Sequence, residues 1–572
     1  MKTVITIKIA GEAGQGMQTI GLVLCRIFKK AGLNIFASQN IMSRIRGGNN
    51  VFELSISVKP IHSCRQYADI VIALDKSSVS LHRKNMAQDG LMIFDQEKFK
   101  VTETNPALFH VPFYAMASEK GGSEMFVSAS ACGIIASLTR LDFDSVAIEL
   151  KNTFSDKQTD VIEKNIQVAK TSFDFMQNNF QSNRFAVIKK KTDAGLLMSG
   201  HEAVALGAIK AGLKFYSAYP MSPSTTIMEN LSRYARQFNI VVEQAEDELA
   251  AINMIIGASF NGVRSMCATS GGGFALMVEG LSLAAMTETP VVIVDAQRPA
   301  PATGFPTRTE QADLDYLIHA GHGEFARVIF APGSNEEAFY LTQKSFQLSE
   351  KYQVPVLIMT DQHLADSYSN NKTFNLEKIK IKRFIISKKD SKNITNYKRY
   401  QFTKSGISPQ AIPSWINDCI YADSDEHTEE GHITEDASIR IKMVEKRFYK
   451  KMALLSKEIE NPVTFNLKNA RTILIGFGST YGALKDTCVF LKKEKIGFIH
   501  LPQVWPFPAK KMITILKNPK KIFTVENNAG GQLAKLIRRE TGIQVNGSIL
   551  KFDGRPFNLD ILVQSLKERR II

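Results

Sequence analysis

A short proline-flanked segment in the middle of the chain presents hydroxyl groups in a pattern that could hold a substrate. Residues 219–225 read Tyr-Pro-Met-Ser-Pro-Ser-Thr, between a predicted strand and a predicted helix. The two prolines restrict the backbone on either side of Ser222, so its hydroxyl should keep a fixed position. Ser224 and Thr225 are expected to cap the helix that follows. We interpret this segment as a loop for a small polar substrate.

Two segments near the N-terminus could bind an anion. Residues 11–16 read Gly-Glu-Ala-Gly-Gln-Gly between a strand and a helix, where free amides and the helix dipole converge. The spacing is neither the dinucleotide fingerprint nor a P-loop, and a glycine turn for close packing is the alternative. Residues 43–48 read Ser-Arg-Ile-Arg-Gly-Gly, which suits a phosphate or carboxylate, with an exposed basic turn as the alternative.

The elements that position these segments follow an α/β pattern. Apolar runs alternating with helical segments predict three open, mostly parallel sheets in series. We predict domains at 1–187, 195–370 and 466–572, with a polar connecting segment at 371–465 that contains a helix near 436–460. Predicted strands lie at 4–10, 51–56, 68–73, 91–95, 267–269, 290–295, 355–360 and 473–479.

Composition narrows the function classes. The chain of 572 residues has a net charge of +15, but no zinc-finger, helix-turn-helix or RNA-binding motif accompanies the lysines, so a basic surface for an acidic partner is favoured over nucleic-acid binding. None of its 6 cysteines forms a Cys-x-x-Cys pair, so we expect no iron–sulfur cluster or zinc in this chain. The lack of a signal segment and of an apolar stretch of ~18 residues predicts a cytoplasmic protein outside the membrane.

The sequence resembles the 2-oxoacid:ferredoxin oxidoreductases, most closely those that act on 2-oxoglutarate, over nearly the whole chain. Its first unit is similar to the family's gamma domain and is followed by the alpha subunit, with a thiamine pyrimidine-binding domain and a transketolase C-terminal-like domain. Departures from the usual pattern are Ala13 for Gly, Gly272 for Pro and Ser222 for Thr. The matching motifs lie at 14–16, 46–48, 219–225, 243–251, 269–274, 304–311, 426–431 and 553–557.

The resemblance implies thiamine diphosphate chemistry. In this chemistry a protein carboxyl group forms a hydrogen bond with N1′ of the pyrimidine, and this bond activates the cofactor's own amino group as a base. Glu243, Glu246 and Glu248 are the candidates. We choose Glu248 because it begins an apolar helix with glycines at the spacing seen in thiamine enzymes. Glu246 is the second candidate, and an ordinary first-turn acid that complements the helix dipole is the alternative. Ser270 and Gly271 are also assigned to the thiamine site.

The resemblance implies three further sets of contacts. The oxoacid is expected to meet Tyr219, Ser222, Thr307 and Arg308. Coenzyme A is expected to meet Gly14, Gly16, Arg44 and Arg46. A beta subunit would carry a [4Fe-4S] cluster, share the thiamine diphosphate and its Mg²⁺, reduce ferredoxin, and assemble with this chain as αβ or (αβ)₂.

Three alternatives stay open from the sequence. The substrate could be pyruvate, a branched-chain or another 2-oxoacid. The chain could be a non-catalytic nucleotide-binding protein that kept the fold, although both Glu248 and Arg308 are present. Nucleic-acid binding through the basic surface would leave the substrate-loop motif unexplained.

Overall fold

The computed structural model describes residues 2–42, 48–101, 107–190, 195–517 and 521–572. The chain forms two compact units. The first consists of Met1–Met198, Ser367–Thr373 and Asn558–Arg569, and the second of Ser199–Asp366, Phe374–Phe557 and Arg570–Ile572.

The elements follow one another in mostly alternating order. The first part of the chain holds β1 (Val4–Glu12), α1 (Met17–Lys30), β2 (Asn34–Asn40), β3 (Asn49–Ser57), β4 (Ala68–Ala73), α2 (Lys76–Arg83), β5 (Met86–Phe94), α3 (Gln96–Phe99), β6 (Leu108–His110), α4 (Phe113–Gly121), α5 (Val127–Leu138), α6 (Phe143–Thr153), α7 (Thr159–Asn179) and β7 (Leu196–Ser199). The middle part holds α8 (Gly200–Lys210), β8 (Phe215–Ala218), α9 (Thr225–Phe238), β9 (Val241–Gln244), α10 (Glu248–Phe260), β10 (Ser265–Thr269), α11 (Gly271–Met286), β11 (Val291–Gln297), α12 (Leu314–His319), β12 (Val328–Phe330), α13 (Asn335–Tyr352), β13 (Pro355–Asp361), α14 (Gln362–Asp366) and β14 (Tyr368–Asn371).

The remaining elements are shorter on average. They are α15 (Lys388–Ser391), α16 (Ala437–Val444), α17 (Lys451–Leu455), β15 (Val463–Phe465), β16 (Thr472–Phe477), α18 (Thr480–Phe490), β17 (Ile496–Leu501), β18 (Gln503–Trp505), α19 (Ala509–Leu516), β19 (Lys521–Glu526), α20 (Gln532–Thr541), β20 (Gly547–Leu550) and α21 (Leu559–Glu568). Single 3₁₀ turns lie at Glu124–Phe126, Leu376–Lys378, Pro413–Trp415, Leu467–Asn469 and Lys492–Glu494, and a π-helical turn at Glu445–Lys450.

The first unit is built on one eight-stranded sheet in the order β6-β5-β4-β1-β3-β2-β14-β7. Strands β1, β4, β5 and β6 are parallel, whereas β3 and β2 run antiparallel to their neighbours. Both faces of β1 are buried: Ile5, Ile7 and Ile9 are covered on one side, and Thr6 and Lys8 on the other. A strand covered on both faces needs helices on both sides of the sheet, as α/β folds provide.

The second unit contains two sheets. One has seven strands in the order β18-β12-β13-β11-β10-β8-β9, all parallel except the short edge strand β18. The other has five strands in the order β15-β17-β16-β19-β20. A shared apolar core joins α10, α11 and the strands of both sheets. The carboxyl ends of parallel strands, where open α/β sheets bind their ligands, carry the segments singled out from the sequence.

The predicted fold class, α/β with three open and mostly parallel sheets, is confirmed. All eight predicted strands are present, and the helix predicted near 436–460 is present as α16, the π-helical turn and α17. Within the described ranges, no single helix is long and apolar enough to cross a membrane. One pair, Phe113–Gly121 with Glu124–Leu138, meets the length and composition criteria only together and is bent by 117°.

Candidate active site

Burial separates the three acidic candidates. Glu248 is the first residue of α10 and is 3% exposed, whereas Glu243 and Glu246 are exposed. The helix begins there because the side chain of Asp247 accepts a hydrogen bond from the amide of Ala250 at 2.7 Å. Only Glu248 therefore has the apolar surroundings in which a carboxyl group can share a proton with a bound base.

The Glu248 carboxylate faces the first turn of α11. Its Oε1 lies 3.5 Å from the Thr269 hydroxyl, at the end of β10. A β-carbon at Gly273 would lie 2.3 Å from Glu248 Oε1 and 2.1 Å from Thr269 Oγ1, so the position has room for hydrogen only. Because Gly273 has no side chain, the Glu248 carboxylate can occupy this position. The buried carboxylate is therefore suited to a hydrogen bond with an aminopyrimidine nitrogen.

We expect Gly273→Ala to displace the Glu248 carboxylate and lower kcat of the assembled enzyme by about 10²-fold, as small misplacements of catalytic groups do. Gly272→Ala is the matched control, because the nearest atom to a β-carbon there is the Ala302 carbonyl oxygen at 3.8 Å. Steady-state kinetics of both variants check the prediction. Equal effects of the two changes would remove Gly273 from the site.

The substrate loop joins the end of β8 to α9 and reaches the start of α11. Ser270, the residue before α11, donates its hydroxyl to Met221 Sδ at 3.1 Å, so the loop touches the proposed thiamine site. Helix α9 begins at Thr225, which is therefore its first residue and not a cap. Ser224 does not cap the helix either: its hydroxyl donates to the Met221 carbonyl at 2.7 Å. The expected cap was wrong because Ser224 already has helical backbone angles, which turn its side chain back into the loop.

Two residues not identified from the sequence hold this loop. The Arg298 guanidinium, just after β11, donates to the Ser222 carbonyl at 2.7 Å. His201 is fully buried and bonds the hydroxyls of Thr226, at 2.9 Å, and Thr360, at 3.0 Å. Burial lowers the pKa of His201 to about 3, so its ring is neutral and acts as a fixed link. The only sequence signal for Arg298 was its place after a predicted strand.

The loop that carries Thr307 and Arg308 is anchored at its C-terminal end. Gln311 is fully buried, and its side-chain amide donates to the Phe477 carbonyl at 3.0 Å. The backbone amide of Gln311 donates to the Asn527 carbonyl at 2.7 Å. Arg308 is half-buried, and this burial, with Arg555 nearby, lowers its pKa to about 10. Among the described residues, no hydrogen bond joins this loop to residues 219–225.

A pair of carboxyl groups lies beside the same strand ends. Asp295 is fully buried next to Thr269 in the sheet register, and neither of its carboxylate oxygens has a hydrogen-bond partner among the described residues. Burial, with Asp313 as a second cause, raises the pKa of Asp295 well above its usual range. Burial, with Glu310 as a second cause, raises the pKa of Asp313 to about 6. No motif or spacing in the sequence predicted that these two acids lie close together.

This pair makes stability depend on pH in a stated direction. A carboxyl group whose pKa is raised by folding binds its proton more tightly in the folded state. The free energy of unfolding is therefore greatest at low pH, and for Asp313 it falls as the pH rises from about 4 through about 6. We expect Asp295→Asn to raise the free energy of unfolding by about 1–3 kcal/mol at pH 8 and by less at pH 5. Thermal unfolding at both pH values, with exposed Asp425→Asn as control, measures it. A gain that is the same at both pH values would contradict the assignment.

The glycine turn of the first unit is ordered around Gln15. Its amide group donates to the Tyr114 hydroxyl at 3.0 Å and accepts from the Glu12 amide at 2.8 Å. Gly14 and Gly16 have φ angles of 93° and 74°, which favour glycine, and α1 begins directly after Gly16. Among the described residues, no atom lies within 4 Å of a β-carbon position at Gly14, so this side of the turn is open with respect to them. Arg44 and Arg46 lie outside the described residues.

The acidic motif at 426–431 is partly buried within the second unit. Glu426 forms a bidentate pair with Arg447, with distances of 2.7 and 2.9 Å, and a second pair with Arg440 at 2.7 Å. His427 is fully buried, with its ring centre 4.1 Å from that of Tyr400. The polar connecting segment is therefore tied to the second unit at Glu426, because cations from α16 and the π-helical turn reach this motif.

Three family models match the chain in order. The model for pyruvate ferredoxin/flavodoxin oxidoreductase matches residues 6–175, and that for pyruvate:ferredoxin oxidoreductase core domain II matches 470–560. Between them, residues 206–446 match pyruvate flavodoxin/ferredoxin oxidoreductase, thiamine diP-binding. The fold and these matches define a subunit of an oxidoreductase of the thiamine-dependent class.

The alpha subunit of a 2-oxoacid:ferredoxin oxidoreductase from Sulfolobus sp is 34% identical over 98% of this chain and 96% of the relative. The 2-oxoglutarate synthase subunit KorA of Methanocaldococcus jannaschii is 33% identical over 58% of this chain and 88% of its own length. A solved structure, 2-oxoglutarate:ferredoxin oxidoreductase from Magnetococcus marinus with 2-oxoglutarate, coenzyme A and succinyl-CoA bound, aligns with a TM-score of 0.92 at 28% identity, covering 99% of this chain and 100% of that one. The chain belongs to the 2-oxoacid:ferredoxin oxidoreductase family, as an alpha subunit.

Proposed function

We propose that this chain is the alpha subunit, with a fused gamma domain, of an enzyme that converts 2-oxoglutarate and coenzyme A to succinyl-CoA and CO₂ with reduction of ferredoxin, or runs the reverse reaction. The observation that carries the proposal is the buried Glu248 carboxylate at the start of α10, facing the Gly273 gap. The similarity to a structure solved with 2-oxoglutarate and succinyl-CoA supports the choice of substrate.

Each proposed residue has a role that its position permits. Thiamine diphosphate, when bound, supplies the nucleophilic thiazolium carbon that attacks the keto group. Glu248 holds the proton at N1′ of the aminopyrimidine, with Ser270 and Gly271 beside it at the start of α11. Ser222 and Tyr219, on the loop held by Arg298, orient the oxoacid. Arg308, with Thr307 next to it, binds a substrate oxygen by charge-assisted hydrogen bonds.

The rest of the catalytic assembly comes from other chains and cofactors. We assign the [4Fe-4S] cluster to a beta subunit, because none of the six cysteines here forms a cluster motif and five of the six are buried. The resemblance to the family assigns the Mg²⁺ and the diphosphate to the same beta subunit. Coenzyme A is assigned to the open side of the turn at Gly14 and Gly16, with Arg44 and Arg46. The chain comprises the domains proposed at 1–187, 195–370, 371–465 and 466–572. With the beta subunit it would assemble as αβ or (αβ)₂ in the cytoplasm.

The test is an anaerobic assay of the chain co-expressed with its beta subunit. Coenzyme-A-dependent reduction of methyl viologen is measured with thiamine diphosphate and Mg²⁺, using 2-oxoglutarate, pyruvate and 2-oxoisovalerate in parallel. A kcat/KM for 2-oxoglutarate at least 10-fold above the others is expected. A preference for another oxoacid would support the proposed reaction type but show that 2-oxoglutarate is not the substrate. No activity from a complex shown to contain thiamine and iron would refute the proposal.

A further inference from the structure

Two arginines, Arg308 and Arg555, lie on adjoining loops of the second unit, and one of these loops also carries Thr307. Gly554 has a φ of 75°, and a β-carbon there would lie 3.2 Å from Arg308 Cβ, so the two loops are in direct contact. The Thr309 amide donates to the Gly554 carbonyl at 3.4 Å. The Arg555 carbonyl accepts a hydrogen bond from the Asn527 side chain at 2.9 Å, which fixes the second loop from behind.

Neither guanidinium is neutralised. In the part of the chain that the structure describes, no carboxylate forms a salt bridge with Arg308 or Arg555. The nearby Asp553 carboxylate is occupied by the Lys551 ammonium and by the Arg555 amide, at 3.0 Å. Among the residues that the structure describes, the Arg555 guanidinium donates only to the Gly554 carbonyl, at 3.3 Å, which leaves most of its donors for a ligand. Burial and the charge of Arg555 together lower the pKa of Arg308.

The surroundings suit a ligand that is anionic and partly covered. Phe305, whose ring lies 3.3 Å from a β-carbon position at Gly554, is 59% exposed, and Phe552, three residues before Arg555 in the chain, is 62% exposed. Exposed aromatic rings beside half-buried cations form an apolar rim, which strengthens charge interactions once a ligand excludes water from it. Two guanidinium groups without a carboxylate partner can bind two negative charges, whereas a monocarboxylate supplies only one.

We propose that Arg555 completes, with Arg308, a two-guanidinium site that selects dicarboxylic 2-oxoacids by binding both carboxylates. The inference rests on the proposed function and deepens it, since it names the residue that distinguishes 2-oxoglutarate from pyruvate. Arg555 belongs to the Asp-Gly-Arg-Pro-Phe motif at 553–557, for which the sequence indicated no role. The phosphates of coenzyme A share this anion chemistry, and the experiment separates the two sources.

The experiment uses the assembled enzyme carrying Arg555→Gln, Arg555→Lys or, as matched control, Arg538→Gln, an exposed arginine of the same unit. KM and kcat are measured for 2-oxoglutarate, pyruvate and coenzyme A, together with Tm. We expect Arg555→Gln to lower kcat/KM for 2-oxoglutarate by about 30–100-fold, mainly through KM, because a charged hydrogen bond of about 2–3 kcal/mol is lost. Pyruvate kinetics, coenzyme A KM and Tm should change little, and Arg555→Lys should recover part of the loss.

Each other outcome overturns the inference. An increase confined to the KM of coenzyme A would assign Arg555 to its phosphates. Equal losses with both oxoacids and a lowered Tm would make Arg555 a structural residue, and unchanged kinetics would leave it no role in the site. If the wild-type enzyme itself prefers pyruvate, the proposed substrate fails together with this inference. If the wild type prefers 2-oxoglutarate and Arg555→Gln keeps that preference, this inference fails alone.

Discussion

Glu248→Gln is expected to lower oxoacid-dependent dye reduction by about 10³-fold or more, within the range that loss of a positioned proton donor or acceptor produces. The amide has nearly the same shape and volume as the carboxyl group, so the buried site should stay intact. It cannot share a proton with N1′ of an aminopyrimidine, however, and the cofactor's own base would not form. Methyl viologen reduction by the assembled enzyme measures the loss, and an unchanged Tm shows that the fold is kept.

The neighbouring acids provide the controls for this prediction. Glu243→Gln and Glu246→Gln remove the same charge within five residues of Glu248, but both side chains are exposed. We expect each control to keep kcat/KM within about 3-fold of wild type, since exposed charges act weakly across water. Near-normal turnover of Glu248→Gln would remove Glu248 from catalysis. A loss confined to Glu246→Gln would assign the role to that residue instead.

The local structure around Glu248 was predictable because its signals lie within a few residues of one another. Asp247 is a strong helix-capping residue, and the apolar run after it fixes α10 as Glu248–Phe260, the helix expected from the sequence. The strands flanking the site follow from buried runs of β-branched residues, such as β11 and β13. The spacing of apolar residues and the helix-capping residues are local properties of the chain. They determine the helices and strands that carry the site.

The contacts between those elements could not be predicted, because they join residues far apart in the chain. The bond from Arg298 to Ser222 spans 76 positions, and Arg308 meets a loop that lies almost 250 residues further on. Neither pairing leaves a periodic signal, and each arginine alone resembles an exposed basic residue. Strand β14 is a similar case: it follows the second unit's β13 in the chain but pairs with β2 in the first sheet. Side-chain pairing of this kind follows from topology, which a single sequence does not specify.

Glu288→Ala is expected to lower the free energy of unfolding by about 3–5 kcal/mol, the cost of breaking a buried ion pair. The Glu288 carboxylate is fully buried and binds the ammonium groups of Lys446 and Lys451, the latter at 2.5 Å. Lys446 lies in the π-helical turn and Lys451 directly follows it, and i→i+5 bonding turns residues five apart toward the same side. The guanidinium of Arg399 adds a third buried cation, which donates to the Glu288 carbonyl at 2.8 Å. Removing the carboxylate therefore leaves three buried positive charges without a counterion.

A control and a compensating variant separate charge from packing in this cluster. Glu540→Ala, which breaks the exposed pair with Arg539, should cost no more than about 1 kcal/mol. The triple variant Glu288→Leu, Lys446→Met and Lys451→Met removes both lysine charges with the carboxylate, and Arg399 keeps its hydrogen bonds to the carbonyls of residues 287 and 288. It should recover at least half of the stability lost in Glu288→Ala, because apolar groups of similar volume can replace a buried ion pair. Denaturant unfolding of the three variants measures the differences. If the triple variant is as unstable as Glu288→Ala, the cost comes from lost packing, and the buried cations are not what makes Glu288 necessary.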